Sequence, residues 1–166
     1  MKTNFTSPLE QKPGVIANIL RRSYAGLVAS DPDHWSQEEG KWDEYDGEVF
    51  QYPDTVGACI FLTWKDNELI GFGSYDPRQR PASGRIGHNC ILPEFRGNGF
   101  GKVQLLEIMR RLKAIGIKTA KVSTCSHPFF VAAQRMYIGC GFVETDRHPL
   151  EIDPRFELIE YGMGLW

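Results

Sequence analysis

The segment richest in chemistry is Ile91-Leu92-Pro93-Glu94-Phe95-Arg96-Gly97-Asn98-Gly99-Phe100-Gly101-Lys102. Gly97, Gly99 and Gly101 alternate with other residues, between a strand-like run and a helical pattern. Glycine lets a backbone take positive φ and lets a ligand approach closely. The first amides of a helix have no intrahelical acceptor, and the helix dipole favours an anion beside them. Arg96 and Lys102 add positive charge, so Arg96, Gly97, Asn98, Gly99, Phe100, Gly101 and Lys102 form a candidate phosphate cradle. The alternative is a glycine-rich turn without a ligand. A Rossmann fingerprint needs G-x-G-x-x-G. Gly97 and Gly99 supply its first half, but the third glycine position falls on Lys102. A Walker A loop needs glycine where Arg96 stands and Ser or Thr where Val103 stands. Neither a nucleotide-hydrolysing P-loop nor its Mg²⁺ hydroxyl ligand is expected.

The other reactive side chains form no metal pattern. Cys59, Cys90, Cys125 and Cys140 contain no C-x-x-C pair, and the four histidines do not join them at zinc-finger spacing. No metal is expected, and four reduced thiols fit a cytoplasmic protein. Cys125 precedes a proline-led helix, where a thiol pKa can fall, although a plain thiol near a pocket is the simpler reading. The 166 residues suit one domain, 1–166, large enough to bury roughly 70% of its unfolded surface. Hydrophobic residues make up 42% and charged residues 24%, ordinary for a globular chain. A net charge of −2 gives no electrostatic match to nucleic acid. No apolar run reaches the roughly 18 residues of a membrane span, and the start MKTNFTSPLEQKPG has no signal-like core.

These residues need elements to position them. Ile16, Ile19, Leu20, Tyr24 and Leu27 recur at helical spacing and predict a helix over 13–28. Asp31-Pro32-Asp33 ends that region and offers a cap for a weakly amphipathic helix over 34–49. Runs 58–64, 69–75 and 85–91 read as three strands of an antiparallel meander. Leu105, Leu106, Met109 and Leu112 predict a helix over 101–115, with Gly116 as its stop. With a strand at 118–124 this makes a βαβ unit, whose two strands should be parallel. Pro128 opens a helix to about Ile138, stopped at Gly139-Cys140-Gly141. Strands follow from Phe142 and across 156–166. The fold class is mixed α/β, with a central mixed sheet flanked by helices.

On these motifs the chain resembles the GNAT N-acetyltransferase superfamily. That family's acyl-CoA signature is Arg/Gln-x-x-Gly-x-Gly/Ala, and here it reads Arg96-Gly97-Asn98-Gly99-Phe100-Gly101. Ala133-Gln134-Arg135-Met136-Tyr137, followed by Gly141-Phe142, resembles the family's Ala-x-x-Leu-Tyr…Gly-Phe segment. One position departs: many relatives carry Asn seven residues before the tyrosine, where this chain has Phe130.

The resemblance implies direct transfer of acetyl from acetyl-CoA to a primary amine of a small molecule or peptide. It implies that strands 85–91 and 118–124 splay, so that Asn89 and Ile91 bind the pantetheine arm through their main chain. The diphosphate would rest on the amides from Arg96 to Lys102. Tyr137 matches the tyrosine near the cofactor sulfur. Its pKa near 10 against about 8.5 for a thiol makes full protonation uphill by about 2 kcal/mol, so a hydrogen bond to the thiolate serves as well. The family often uses a strand-borne Glu as base, but 85–90 holds no carboxylate, leaving His88 as the candidate or as a structural histidine. Glu94, Asp76 and His127 are weaker candidates. Nine carboxylates in 31–54 against Lys41 form either an acidic rim for a cationic amine or a solvated face. Trp35, Trp42, Tyr45 and Tyr52 either line an acceptor pocket or anchor that segment. Another acyl-CoA, or a catalytically silent acyl-CoA-binding module, fits the same loop. Leu165-Trp166 offers an apolar end for a partner, and a two-fold homodimer is the commonest soluble assembly.

Overall fold

The computed structural model describes residues 2–166. Its chain folds as β1 (Thr3–Thr6), α1 (Val15–Ser30), α2 (Pro32–Trp35), α3 (Glu38–Gln51), β2 (Ile60–Lys65), β3 (Glu68–Asp76) and β4 (Ser83–Ile91). Then come α4 (Phe100–Ala114), β5 (Thr119–Cys125), α5 (Val131–Gly139), β6 (Val143–Pro149) and β7 (Glu157–Gly164). The strands form one seven-stranded sheet in the order β1-β2-β3-β4-β5-β7-β6. β2 pairs antiparallel with β3, and β4 pairs parallel with β5. The βαβ expectation therefore holds, because a helix of this length carries the chain back to the same end of the sheet. No helix among the described residues is long and apolar enough to cross a membrane.

Two compact units divide the chain, Met1–Ser74 with His88–Gln104, and Tyr75–Gly87 with Leu105–Trp166. In the first, Ile16, Ile19 and Leu20 of α1 meet Trp42 and Val49 of α3 and Leu62 and Phe72 of the sheet in one apolar cluster. Trp42 is therefore an anchor of its segment. Trp35 is also buried, whereas Tyr52 is half exposed. The expected helix over 34–49 divides into α2 and α3 around Ser36 and Gln37.

The start of α1 depends on a distant residue. Gly14 takes φ +102 at the N-cap and has no side chain to cap with. The Asp46 carboxylate of α3 does so instead, accepting from the amides of Gly14 at 2.8 Å, Ile16 at 2.9 Å and Ala17 at 3.0 Å. Asp46 is 5% exposed, so this carboxylate belongs to the fold and not to an acidic rim. Asp46→Ala is expected to lower unfolding stability by about 2–3 kcal/mol, through the lost cap and the two buried donors, Ile16 and Ala17, left unmet. A urea titration checks it, as a lower midpoint at unchanged slope.

In the second unit, α5 ends in a Schellman arrangement. Phe142 N–H donates to the Tyr137 carbonyl at 3.0 Å and Gly141 N–H to that of Ile138 at 3.1 Å, with Gly141 at φ +99. The hydrophobic contact typical of that motif joins the Tyr137 and Phe142 rings, 5.7 Å apart and edge to face. Part of the Tyr137…Gly141-Phe142 pattern is thus a helix stop. The last two strands are exchanged relative to chain order: β7 pairs with β5 from Cys125↔Leu158 to Thr119↔Gly164, leaving β6 on the outside. β6 is exposed along all seven residues, and its pairing with β7 shifts register between Glu144 and Asp146.

Candidate functional site

The glycine loop takes the backbone shape its sequence requires. Gly97 has φ +78 and Gly99 φ +83, and a Cβ on either would meet nothing within 4 Å, so conformation and not crowding demands glycine there. The first bond of α4 runs from Val103 N–H to the Gly99 carbonyl at 3.1 Å, which makes Gly99 the N-cap. The N–H groups of Gly99, Phe100, Gly101 and Lys102 are then the four that a helix leaves without internal acceptors. Asn98 donates its side-chain amide to the carbonyls of Phe95 at 3.3 Å and Arg96 at 3.1 Å. Arg96 donates Nε–H to the Ile91 carbonyl at 3.0 Å and Nη2–H to the Ser23 carbonyl, tying the loop to β4 and α1. Its cationic head thus holds the loop in place. Lys102 is exposed at the helix start.

Gln104, which sequence reasoning passed over, fixes this helix end to the sheet. It is fully buried. Its Oε1 accepts from the Thr63 hydroxyl at 2.6 Å. Its Nε2 donates to Asn89 Oδ1 at 2.6 Å, the Phe72 carbonyl at 2.8 Å and the Cys90 carbonyl at 3.2 Å. The three oxygens around one end and a hydroxyl at the other determine which way the amide points. Asn89 completes the link by donating Nδ2–H to the Gly101 carbonyl at 3.2 Å. The side chain of Asn89 therefore supports the helix start. No local pattern marks Gln104, because its partners come from three strands.

His88 and Asn89 lie on opposite faces of β4, as strand alternation requires. The His88 ring sits 5.1 Å from Tyr45 of α3 and 5.5 Å from Phe72. Burial lowers its pKa to about 4, so the imidazole is neutral near pH 7. Burial also pushes the neighbouring Tyr45 hydroxyl up to about 12 and the Cys90 thiol up to about 11. Tyr137, 5% exposed on α5, rests against Phe142 and, at 5.9 Å, Tyr161.

The remaining candidates are engaged elsewhere. Asp76 is held below its ordinary range by hydrogen bonds from Arg78. Glu94 pairs with Arg22. His127 uses Nδ1 to accept from Phe129 N–H at 3.0 Å. Cys125 does not gain acidity from its helix: burial raises its pKa despite the His127 amide at 3.4 Å. All four cysteines are free thiols. In the acidic segment, Asp43 pairs with Arg21 and Glu38 with Lys41, so two of the nine carboxylates there are offset by neighbouring cations. Leu165 is buried, and Trp166, 77% exposed, lies under the Lys113 ammonium at 5.5 Å.

The parallel ladder between β4 and β5 joins Ser83–Arg85 to Thr119–Lys121, three residues of a nine-residue strand. Beyond Arg85, β4 continues to Ile91 and the glycine loop without that partner among the described residues.

The likeness to solved structures is one of fold. A GNAT-family protein from Desulfovibrio desulfuricans shares 16% identity at TM-score 0.76, over 99% of this chain and 100% of that one. An N-acetyltransferase from Staphylococcus aureus Mu50 shares 15% at TM-score 0.70, over the whole of both chains. A Bacillus anthracis protein assigned as a streptothricin acetyltransferase, solved in complex with acetyl coenzyme A, shares 20% at TM-score 0.56, over 63% of this chain and 61% of that one. No curated protein matches by sequence. The acetyltransferase (GNAT) family model matches residues 20–142, which include the whole glycine loop and Tyr137. With most of its length matched and the sheet, loop and helix in the expected order, the chain belongs to the GNAT acetyltransferase family.

Proposed function

We propose that residues 1–166 act as one domain that transfers acetyl from acetyl-CoA directly to a primary amine. The observation that carries this reading is the loop at Arg96–Lys102, where four helix-start amides without a helical acceptor follow a turn set by two glycines of positive φ. Such an end suits the cofactor diphosphate. The pantetheine arm would follow β4 past the end of its ladder with β5, meeting the main chain of Asn89 and Ile91. Because the Ile91 carbonyl already accepts from Arg96, its N–H is the group proposed for the arm.

Tyr137 is proposed to hydrogen-bond the departing thiolate. His88 is proposed to border the acceptor as a neutral imidazole. Taking a proton outright from an ammonium of pKa near 10.4 onto a base of pKa about 4 would be uphill by about 9 kcal/mol. His88 therefore serves the amine as a hydrogen-bond acceptor; desolvation lowers the ammonium pKa so that its first proton passes to water, and the second, shed as the amide forms, ends on the departing thiolate.

The test is release of free CoA thiol from acetyl-CoA over a panel of primary amines, with hydrolysis subtracted. Tyr137→Phe is expected to lower kcat about 10- to 100-fold and leave acetyl-CoA affinity within about twofold, since the contact forms only as the thiolate develops. An unchanged kcat removes Tyr137 from the chemistry. Binding of acetyl-CoA without thiol release from any amine overturns the transfer reading.

A further inference from the structure

β4 carries no carboxylate, but the fold brings one beside it from 75 residues away. Arg85 of β4 donates Nη2–H to Ser123 Oγ of β5 and, at 3.2 Å, to Glu160 Oε1 of β7. Ser123 in turn donates to the same Glu160 oxygen at 3.2 Å. Ser123 and Glu160 are direct register partners, and Arg85 is the last residue of the β4–β5 ladder. The triad spans three strands where that ladder stops.

The geometry leaves both charges open to a further partner. Of the five guanidinium donors only those on Nη2 are engaged, and Glu160 Oε2 accepts from no described residue. The two side chains are 42% and 32% exposed, so they are reachable yet partly desolvated. Lys121, two residues before Ser123 on the same strand face, is exposed and adds a second cation. Asp76 lies within electrostatic range of Arg85, but Arg78 holds its carboxylate.

A fixed pair of opposite charges selects by charge pattern. A simple cationic amine drawn to Glu160 meets Arg85 at once, and a plain carboxylate drawn to Arg85 meets Glu160. A ligand with adjacent opposite charges satisfies both, its carboxylate on the free Arg85 N–H groups and its amino group, as ammonium on arrival and as free amine before attack, on Glu160 Oε2. We infer that the Arg85–Ser123–Glu160 triad recognises the acceptor, and that the acceptor is a zwitterionic α-amino acid. This rests on the acetyl-transfer reading, and it replaces the acidic segment as the feature that sets substrate charge.

The experiment follows thiol release from acetyl-CoA with the twenty L-amino acids, their decarboxylated amines, and carboxamide-capped dipeptides with the same first residues. At least one amino acid is expected to react more than 10-fold faster, as kcat/KM, than its decarboxylated amine and its dipeptide. Arg85→Gln and Glu160→Gln should each raise KM for that amino acid at least 10-fold, with acetyl-CoA affinity and melting temperature unchanged. Arg85→Lys, which keeps the charge but not the fork, should restore part of the loss. A merely structural tie would lower the melting temperature and spare the amino-acid preference. Release from amines or dipeptides but not amino acids, or a preference that survives Arg85→Gln, overturns the inference and leaves acetyl transfer standing. Acetyl-CoA binding with no release from any probe overturns both.

Discussion

Gly99→Asp is expected to weaken CoA binding about 100-fold or more, and Gly99→Asn less than about 10-fold. The two substitutions share a shape and differ in charge. At φ +83 either pays a backbone cost of about 1–2 kcal/mol, less for these two residues than for most, since short polar side chains tolerate the left-handed region. A Cβ at Gly99 meets nothing within 4 Å, and beyond it the two side chains have the same size. The contrast therefore isolates electrostatics. A carboxylate about 4–5 Å from a diphosphate costs on the order of 1–4 kcal/mol, depending on how much water screens it. It also competes for the very amides that would hold the phosphates. Isothermal titration with CoA checks the ratio, and raising the salt should narrow the gap between the two variants. Equal affinities for Asn and Asp would show that no anion rests on this helix end.

Gln104→Leu is expected to cost about 3–5 kcal/mol of unfolding free energy and to weaken CoA binding as well. The side chains are similar in size, so no large cavity opens. The loss comes from polar atoms left behind: the Thr63 hydroxyl and two strand carbonyls lose a partner in the buried interior, and the part-buried Asn89 Oδ1 loses that donor. Adding Thr63→Val should restore part of the stability, because removing both ends of a buried hydrogen bond costs less than removing one. Urea unfolding of the two single variants and the double variant measures that coupling. CoA binding should fall because Asn89 loses its brace and with it the hold on the Gly101 carbonyl. An unchanged midpoint for Gln104→Leu would mean that apolar packing alone seats α4.

These two residues also show what a sequence reveals and what it hides. Gly97 and Gly99 were legible because their role is local: a positive φ is a property of one residue, and the helix that follows announces itself by spacing. The βαβ unit was legible for the same reason, from helix length and connection length. Gln104 was not, since its partners Thr63, Phe72, Asn89 and Cys90 are joined to it only by the folded sheet. Asp46 reads as one acid in a charged run, yet it caps a helix whose Ile16 amide lies 30 residues earlier. Glu160 looks like a tail residue until β7 inserts between β5 and β6. The four residues of β1 carry no alternation long enough to detect, and their pairing with β2 defines them. Arg96 was legible as a charge, but its hydrogen bonds to the carbonyls of Ile91 and Ser23 depend on where α1 ends up.

The insertion of β7 has a further consequence at the rim of the sheet. It leaves β6 as the outermost strand, with one row of backbone donors and acceptors facing outward. An open row of that kind can template another chain. Here it is guarded: Glu144, Asp146 and Arg147 place charges along it, the register shift between Glu144 and Asp146 interrupts its regular ladder, and Pro149 removes a donor at its end. Val143, at 67% exposure, is the one large apolar side chain on this strand, and it stands at the opposite end. The same rearrangement that sets Glu160 between β5 and β6 thus gives the molecule a boundary that resists aggregation.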